Sequence, residues 1–461
     1  MRFTHLSVSA VALASALALA PFAAQAQQSA FVHDDGTPFT TDEKIEALQS
    51  EIDLLKRQHD VDQELATSAA AKTPVVTVDK KGLKYVSPDQ KYELGLNAQV
   101  NVDVHSFGGD GGTAIDETQD RLIRLTFSGR AGNASFRVVP EFGGTSSAAS
   151  SIVDGYVEYK FSDLFNLRAG KFKSPIGLER LQSDPDVIWT ERGHATNLVP
   201  NRDVGFQLSG TALSNSLEYQ IGVFNGATDN ANLNNDLDQK KDIAARIFVQ
   251  PFANTDIVFL QGLGVGWAGT DGQHLGNATN TQLPSYRTPG QQTFFKYGTG
   301  VISSGKLTRS NPQAWFYLDN FGFIADYVTE KQDVKLAANT AQLENSALDL
   351  SASWVITGES LGYKGGVKPA HDFVPGNGGW GAWELTARYG YTDVDNKAFG
   401  TYASATASAS KATSTGLGVA WYLSENLKLL ADFDHTEFKG GAATGNRAAE
   451  DFASGRIQFR Y

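Results

Sequence analysis

The chain has 461 residues, no cysteine, one methionine, 46 glycines and a formal net charge of −12. Without cysteine there are no disulfides, thiolate zinc sites, cysteine-ligated iron–sulfur clusters or cysteine nucleophiles, and the acidic balance argues against a nucleic-acid partner, which needs a basic face. Mean hydropathy is −0.27 and the one long apolar run is N-terminal, which excludes a polytopic helical membrane protein and leaves a soluble protein of two or three domains or a membrane β-barrel.

The N-terminus reads as a signal peptide over residues 1–26. Arg2 supplies the positive start, Leu6 to Phe22 the apolar run, and Ala24-Gln25-Ala26 the small-x-small cleavage site. Export then leaves a mature chain without sulfur. Residues 27–72 are expected to form a periplasmic helical segment, with the helix from Thr41 to about Ala71. Asp42 and Glu43 suit a helix N-terminus, and Ile45, Leu48, Ile52 and Leu55 make a seam of two heptads. This is either a short amphipathic helix or a small coiled coil. Thr73-Pro74 ends it, and residues 73–91 read as an extended linker.

From Tyr92 the period changes to two. Tyr92, Leu94, Leu96, Ala98, Val100, Val102 and Val104 alternate with Glu93, Gly95, Asn97, Gln99, Asn101 and Asp103. That is long for a soluble strand of ~5–6 residues and suits a tilted membrane strand of ~9–11. The pattern returns at Val204 to Ala212, Leu217 to Val223, Trp383 to Tyr391, Leu427 to Phe433 and Ile457 to Tyr461. Aromatics such as Trp421-Tyr422 and Trp315-Phe316-Tyr317 near strand ends fit interfacial girdles. The expected fold is all-β: a transmembrane antiparallel barrel over residues 92–461, at about 23 residues per strand and connection for about 16 strands. Thr401 to Ser414, rich in Ala, Ser and Thr, reads as a flexible external loop.

Several motifs imitate chemistry. Gly264, Gly266 and Gly269 spell GxGxxG, but a turn rather than a helix follows. Gly300, Gly305 and Lys306 approximate a P-loop, with Leu307 where Ser or Thr belongs. No histidines have metal spacing, no serine sits in GxSxG, and no cofactor or metal is expected. His194, near Glu191 and Asp203, is the one histidine worth watching.

The informative signal is the parity of the cations. Arg124 and Arg130 oppose the apolar face of Ile123, Leu125 and Phe127. Arg137, Arg168 and Arg246 alternate with apolar neighbours, and Lys160 shares a face with Asp154. A lipid-facing Arg costs ~2–4 kcal/mol at the midplane, so these side chains belong in a lumen, where planar guanidinium forks suit phosphate. Residues 172–203 lack alternation, carry Lys173, Arg180, Arg192 and Arg202, and follow Lys171. They read as a loop folded inward to form a constriction.

These residues resemble the phosphate-selective porins O and P of Gram-negative outer membranes. The resemblance is carried by RLIRLTFSG (Arg121 to Gly129), AGKFKSPIGLE (Ala169 to Glu179), TER (Thr190 to Arg192), RTPGQQTFF (Arg287 to Phe295) and GAWELTARYGY (Gly381 to Tyr391). It implies a sixteen-stranded barrel in outer-membrane lipid, a homotrimer, and arginines and a lysine that relay phosphate or pyrophosphate to a neck. Arg121 matches the family's paired-arginine strand, with Leu122 beside it and Arg124 able to compensate. Arg180 falls at the neck lysine, Ser183 at a neck hydroxyl, Arg192 at the neck arginine and Asp154 near a strand-borne acid. Asn97 stands where phosphate-specific members carry arginine, and Asp184 adds an acid. Arg287 and Lys296 are the nearest to an extracellular arginine ladder. The expected channel residues are therefore Arg121, Arg124, Arg130, Asp154, Lys171, Lys173, Arg180, Ser183, Arg192, Arg246 and Arg287. The rival readings are a weakly selective small-solute porin, a barrel lipase or protease, and a structural surface barrel.

Overall fold

The computed structural model describes residues 37–108, 115–144 and 151–461, without the side chains of 65–72; the stretch read as a signal peptide, residues 1–26, lies outside the described residues. The chain divides into two units, one ending at Thr73 and one running from Pro74 to Tyr461. The first holds helix α1 (Thr41–Lys72). Thr40 caps it through a reciprocal box: Glu43 N–H donates to Thr40 Oγ1 (3.4 Å), and Thr40 N–H to Glu43 Oε2 (2.7 Å). Ile45, Leu48, Ile52 and Leu55, the seam read from sequence, are exposed.

The second unit is a closed antiparallel barrel of 16 strands. In chain order these are β3 (Tyr92–Gly108), β4 (Glu117–Ala131), β5 (Ala134–Glu141), β6 (Ser151–Ser162), β7 (Phe165–Lys173), β8 (Arg202–Ala212), β9 (Leu217–Phe224), β10 (Asp242–Val249), β11 (Leu263–Leu275), β14 (Ile302–Leu318), β15 (Phe321–Leu336), β16 (Asn339–Val355), β17 (Ala382–Asp393), β18 (Ala409–Tyr422), β19 (Leu427–Gly440) and β20 (Glu450–Arg460). Each pairs with the next, and β20 closes on β3 from Asp451↔Gly108 to Arg460↔Gln99. Below that seam β3 would keep a bare edge. The hairpin of β1 (Val75–Asp79) and β2 (Gly82–Val86) covers it, pairing Leu83↔Leu96 to Val86↔Glu93. The stretch expected as a linker is thus extended but built into the sheet.

The alternation produces an inverted burial pattern. On β3, Val104 is 53% exposed while the neighbouring Asp103 and His105 are 0% and 3% exposed. Phe206, Ile221, Val223, Ile247, Leu417, Phe433, Ile457 and Phe459 continue the outward apolar face, with Gln207, Arg246, Asp432 and Arg456 turned inward. A soluble sandwich hides the first set; a barrel in lipid hides the second. At the barrel end that holds both termini of this unit, hereafter the near end, Trp383 stacks on Trp421 at 5.0 Å, as a girdle does. Trp315 departs from the girdle expectation. It points inward and stacks on Tyr363 at 4.3 Å.

The lumen is partly filled. Residues 174–201, between β7 and β8, cross it carrying α2 (Leu178–Leu181) and two 3-10 turns (Asp184–Asp186 and His194–Leu198). A second insertion, the hairpin of β12 (Ser285–Arg287) and β13 (Thr293–Lys296), packs beside it. Ile176, Leu198, Tyr286, Phe294, Phe295 and Phe438 form an apolar core inside the barrel with the small side chains Ala347, Ala409 and Ala412. This corrects the Thr401 to Ser414 expectation. From Ala409 that segment is wall, and its small residues leave room for the core.

Candidate functional site

The inserted loop is held mainly by polar groups of one half of the wall. On β15, Asp326 Oδ2 accepts Glu179 N–H (3.1 Å). On β16, Asp349 accepts His194 N–H (2.9 Å) and Ala195 N–H (2.6 Å). On β19, Asp432 Oδ2 accepts Thr190 N–H (2.6 Å). Wall cations take its carbonyls: Lys428 Nζ donates to Val187 O (3.1 Å) and Arg388 to Glu191 O (2.8 Å). A long loop with many orphan peptide groups can stay buried because the wall supplies these partners. Gly193 is required here, since a Cβ would lie 2.3 Å from Asp349 Oδ1. His194 bridges Thr392 Oγ1 (3.0 Å) and Ser414 Oγ (2.8 Å). Burial, then Arg388, pushes its imidazole down to about 3, so it is neutral. The Ser414–His194 pair is buried and has a threonine, not an acid, on the second ring nitrogen, which makes it a strut.

Two of the cavities among the described residues lie mainly between β3 to β10 and the inserted loop. The one at the near end holds about 790 Å³ and is lined by eleven Lys and Arg side chains against four Asp and Glu. Arg124, Arg137, Arg168, Arg202 and Arg246 come from the wall, Lys173 from the end of β7, and Lys80, Lys81, Lys364, Lys368 and Arg460 from the near rim. The second cavity, about 360 Å³, has seven arginines against three acids: Arg121, Arg124, Arg180, Arg192, Arg202, Arg287 and Arg456. Arg124, Asp184 and Arg202 line both and so stand where the two cavities meet, a junction called the neck below.

At the neck Arg124 bonds both Glu141 and Asp184, Arg192 Nη1 reaches Asp184 Oδ1 at 2.7 Å, and Arg202 binds Asp154 at 2.9 Å while its Nη2 lies 4.0 Å from Asp184 Oδ2. Burial opposes the Asp184 charge, but Arg124, Arg192, Lys173 and Arg202 outweigh it and hold the carboxyl well below its usual range. Arg192 also spans the loop carbonyls of Glu179 (3.2 Å) and Gln182 (3.0 Å). Arg180 has neutral partners, Thr196 O (3.0 Å) and Asn230 Oδ1 (2.6 Å), and its Nε is buried without one. Burial, then Arg192, pushes it down to about 9, which leaves it charged at neutral pH.

The expected site residues divide. Arg124, Asp154, Lys173, Ser183 and Arg246 line the near cavity, and Arg121, Arg124, Arg180, Arg192 and Arg287 the far one. Arg121 and Leu122 both face inward because the β3–β4 register shifts between Asn101 and Asp103, a bulge that re-aims one side chain. Arg130 and Lys171 line neither cavity. Arg130 sits at the rim with Gln90 O (3.0 Å) and Glu93, and Lys171 is tied to Ile152 O (2.8 Å) and Asn234. Lys296 is exposed on the hairpin, and Asn97 lines the near cavity while donating to Lys81 O. Sequence reasoning gave Arg202 no separate role and missed the rim lysines, which carry no periodic signal. Of the imitating motifs, Gly264 to Gly269 lies wholly in β11, and Gly305 and Lys306 lie in β14.

Asp103, His105 and Glu191 bring metal-ligand types together. Arg456, however, binds both oxygens of Asp103 (2.7 and 2.6 Å), and Arg121 binds both of Glu191. The guanidinia already balance the carboxylates, so the group is an ion-pair network.

The family profile described as "Phosphate-selective porin O and P" matches residues 93–461. Porin O of Pseudomonas aeruginosa is 23% identical over 424 residues, covering 84% of this chain and 94% of that protein. Among solved structures, the outer membrane channel DcaP of Acinetobacter baumannii superposes with a TM-score of 0.53 at 11% identity, over 80% of this chain and 97% of that one. The anion-selective porin from Comamonas acidovorans gives 0.50 at 11% identity, over 80% and 100%.

Proposed function

Because the chain belongs to the phosphate-selective porin O and P family, and is thus an outer-membrane porin channel rather than an enzyme, we propose that it passes small anions passively, with phosphate and pyrophosphate favoured. The observation that carries this is the charge of the passage: cations outnumber acids in both cavities, in a chain whose net charge is −12. An anion entering either mouth exchanges hydration water for guanidinium and ammonium donors. Arg180, Arg192, Arg124 and Arg202 offer successive contacts, and Ser183 adds a hydroxyl beside the neck. Spacing several weak sites along the path permits release as well as entry. Low-dielectric walls strengthen these contacts relative to bulk water.

The outward apolar face is the lipid contact, and we extend the family resemblance to a homotrimer, which molecular mass in detergent measures. Single channels in a planar bilayer test the function. A zero-current potential on the anion side in a KCl gradient, followed by block of chloride current by phosphate, is expected. A cation-side potential refutes the proposal. Anion selectivity without phosphate block reduces it to a weakly selective porin, the reading favoured by Asp184 in the neck and by Asn97 where an arginine is expected.

A further inference from the structure

The neck already contains an oxyanion, and it belongs to the chain. Asp184 Oδ1 receives Arg192 at 2.7 Å, while Oδ2 receives Arg124 and faces Arg202 at 4.0 Å. Three guanidinia from three separate elements, β4, the inserted loop and β8, thus converge on two oxygens of one carboxylate. That is the donor arrangement by which arginine forks hold phosphate or a carboxylate ligand. The carboxylate lies where the two cavities meet, so a permeating anion must pass through or beside its position.

The local chain fixes it there. Asp184 opens a 3-10 turn whose second residue is Pro185, after an extended Ser183. Lys428 Nζ (3.2 Å) and Gln458 Nε2 (3.2 Å) hold Pro185 O against the wall. The other acids at the neck are each taken by one arginine, Glu141 by Arg124 and Asp154 by Arg202. Asp184 is the acid shared among three.

We propose that Asp184 is a tethered competitor for the anion site, a specificity-determining residue that occupies the position a permeating oxyanion would take and keeps phosphate binding weak and release fast. The inference rests on the anion-channel reading above. A solvated anion gains access by displacing the carboxylate from one or more guanidinia, and the carboxylate's return expels it. A second consequence concerns cations: with its charge neutralised by Arg124 and Arg192, Asp184 offers them no free binding site.

The experiment compares wild type with Asp184→Asn in bilayers, reading phosphate block and zero-current potential. D184N removes one negative charge and retains the side-chain size. Removing the Coulomb repulsion between carboxylate and anion at about 4 Å in water predicts block at least about fivefold tighter, longer blocked times and a potential further to the anion side. Asp184→Glu, which restores the charge, is expected to return toward wild type. Unchanged or weaker block in D184N overturns the proposal and makes Asp184 a strut that orders the arginines. D184C gives the same test within one assembled channel, because the natural chain has no cysteine and the new thiol is unique. A negatively charged methanethiosulfonate reagent should weaken phosphate block, and no change on modification overturns the proposal. The two claims fail separately. A cation-selective wild type removes the anion channel, whereas an anion-selective wild type with unaltered D184N block removes only the tethered competitor.

Discussion

Replacing Arg202 with glutamine tests the electrostatics of the neck directly. Arg202 lines both cavities, and its Nη2 lies 4.0 Å from the Asp184 oxygen that marks an anion position. Four cations, Arg124, Arg192, Arg202 and Lys173, act on that point together with the acids Asp184, Glu141 and Asp154. The balance is a single positive charge, and R202Q cancels it. At 4 Å a unit charge is worth about 1 kcal/mol in bulk water and about 4 kcal/mol at the effective dielectric near a protein surface. The neck borders a cavity on either side, so the bulk-water figure is the floor. The change raises the energy of an anion and lowers that of a cation equally. Their ratio therefore moves by about 2 kcal/mol, or about 30-fold in permeability. Zero-current potentials of R202Q and wild type at about 0.1 M salt measure it. Repeating them near 1 M, where the Debye length shrinks from ~10 to ~3 Å, should reduce the difference. A permeability ratio within twofold of wild type at the lower salt refutes the assignment of the neck.

Arg180→Ala with Arg192→Ala removes charged donors of the far cavity. At about 1.5–3 kcal/mol per charged hydrogen bond, phosphate block should weaken by more than tenfold; titration of block in bilayers reads it. Asp349→Ala strips the acceptor from His194 N–H and Ala195 N–H, so the inserted loop should loosen by about 1–3 kcal/mol, seen as noisier current and faster proteolysis within residues 174–201. His194 titrates near 6.5 when free and at about 3 in the seated loop, so the unseated state takes up the proton first. Seating is intact above pH 6.5 and weakens by about 1.4 kcal/mol for each unit the pH falls from there toward 3. Channel noise should rise accordingly, with a flatter profile in His194→Gln. Gly193→Ala meets Asp349 Oδ1 at 2.3 Å and should displace the same loop, with conductance as the measurement.

The barrel was legible in the sequence because lipid imposes a simple rule. Every second residue of Tyr92 to Val104 and Ile457 to Tyr461 must tolerate hydrocarbon, and that period is plain in a single chain. The same rule aimed Arg124, Arg168 and Arg246 inward. It failed where backbone departs from the pleat. The bulge that turns Arg121 inward has no periodic signature, nor does the β12–β13 hairpin that joins the loop in the lumen. Ala409 to Ser414 looked like flexible filler because small residues are common in loops, yet here they are small to accommodate aromatic neighbours. The role of Asp184 was hidden for a related reason. An acid among cations and other acids in sequence looks like dilution of charge, and only the folded chain brings three guanidinia around its two oxygens.

The barrel seam has a kinetic consequence. Arg456 on β20 grips Asp103 on β3 across a separation of 353 residues, and the partners that seat residues 174–201 lie mostly on β15 to β20, which follow it in the chain. Contacts of such sequence separation form late, because the closure entropy of the intervening chain comes before their reward. While the sheet is open the loop therefore has its partners on β4, β7 and β8 but lacks most of those that bury it. A half-assembled barrel holds the neck residues without the wall that seats them, and the same step that joins the last strand to the first completes their setting.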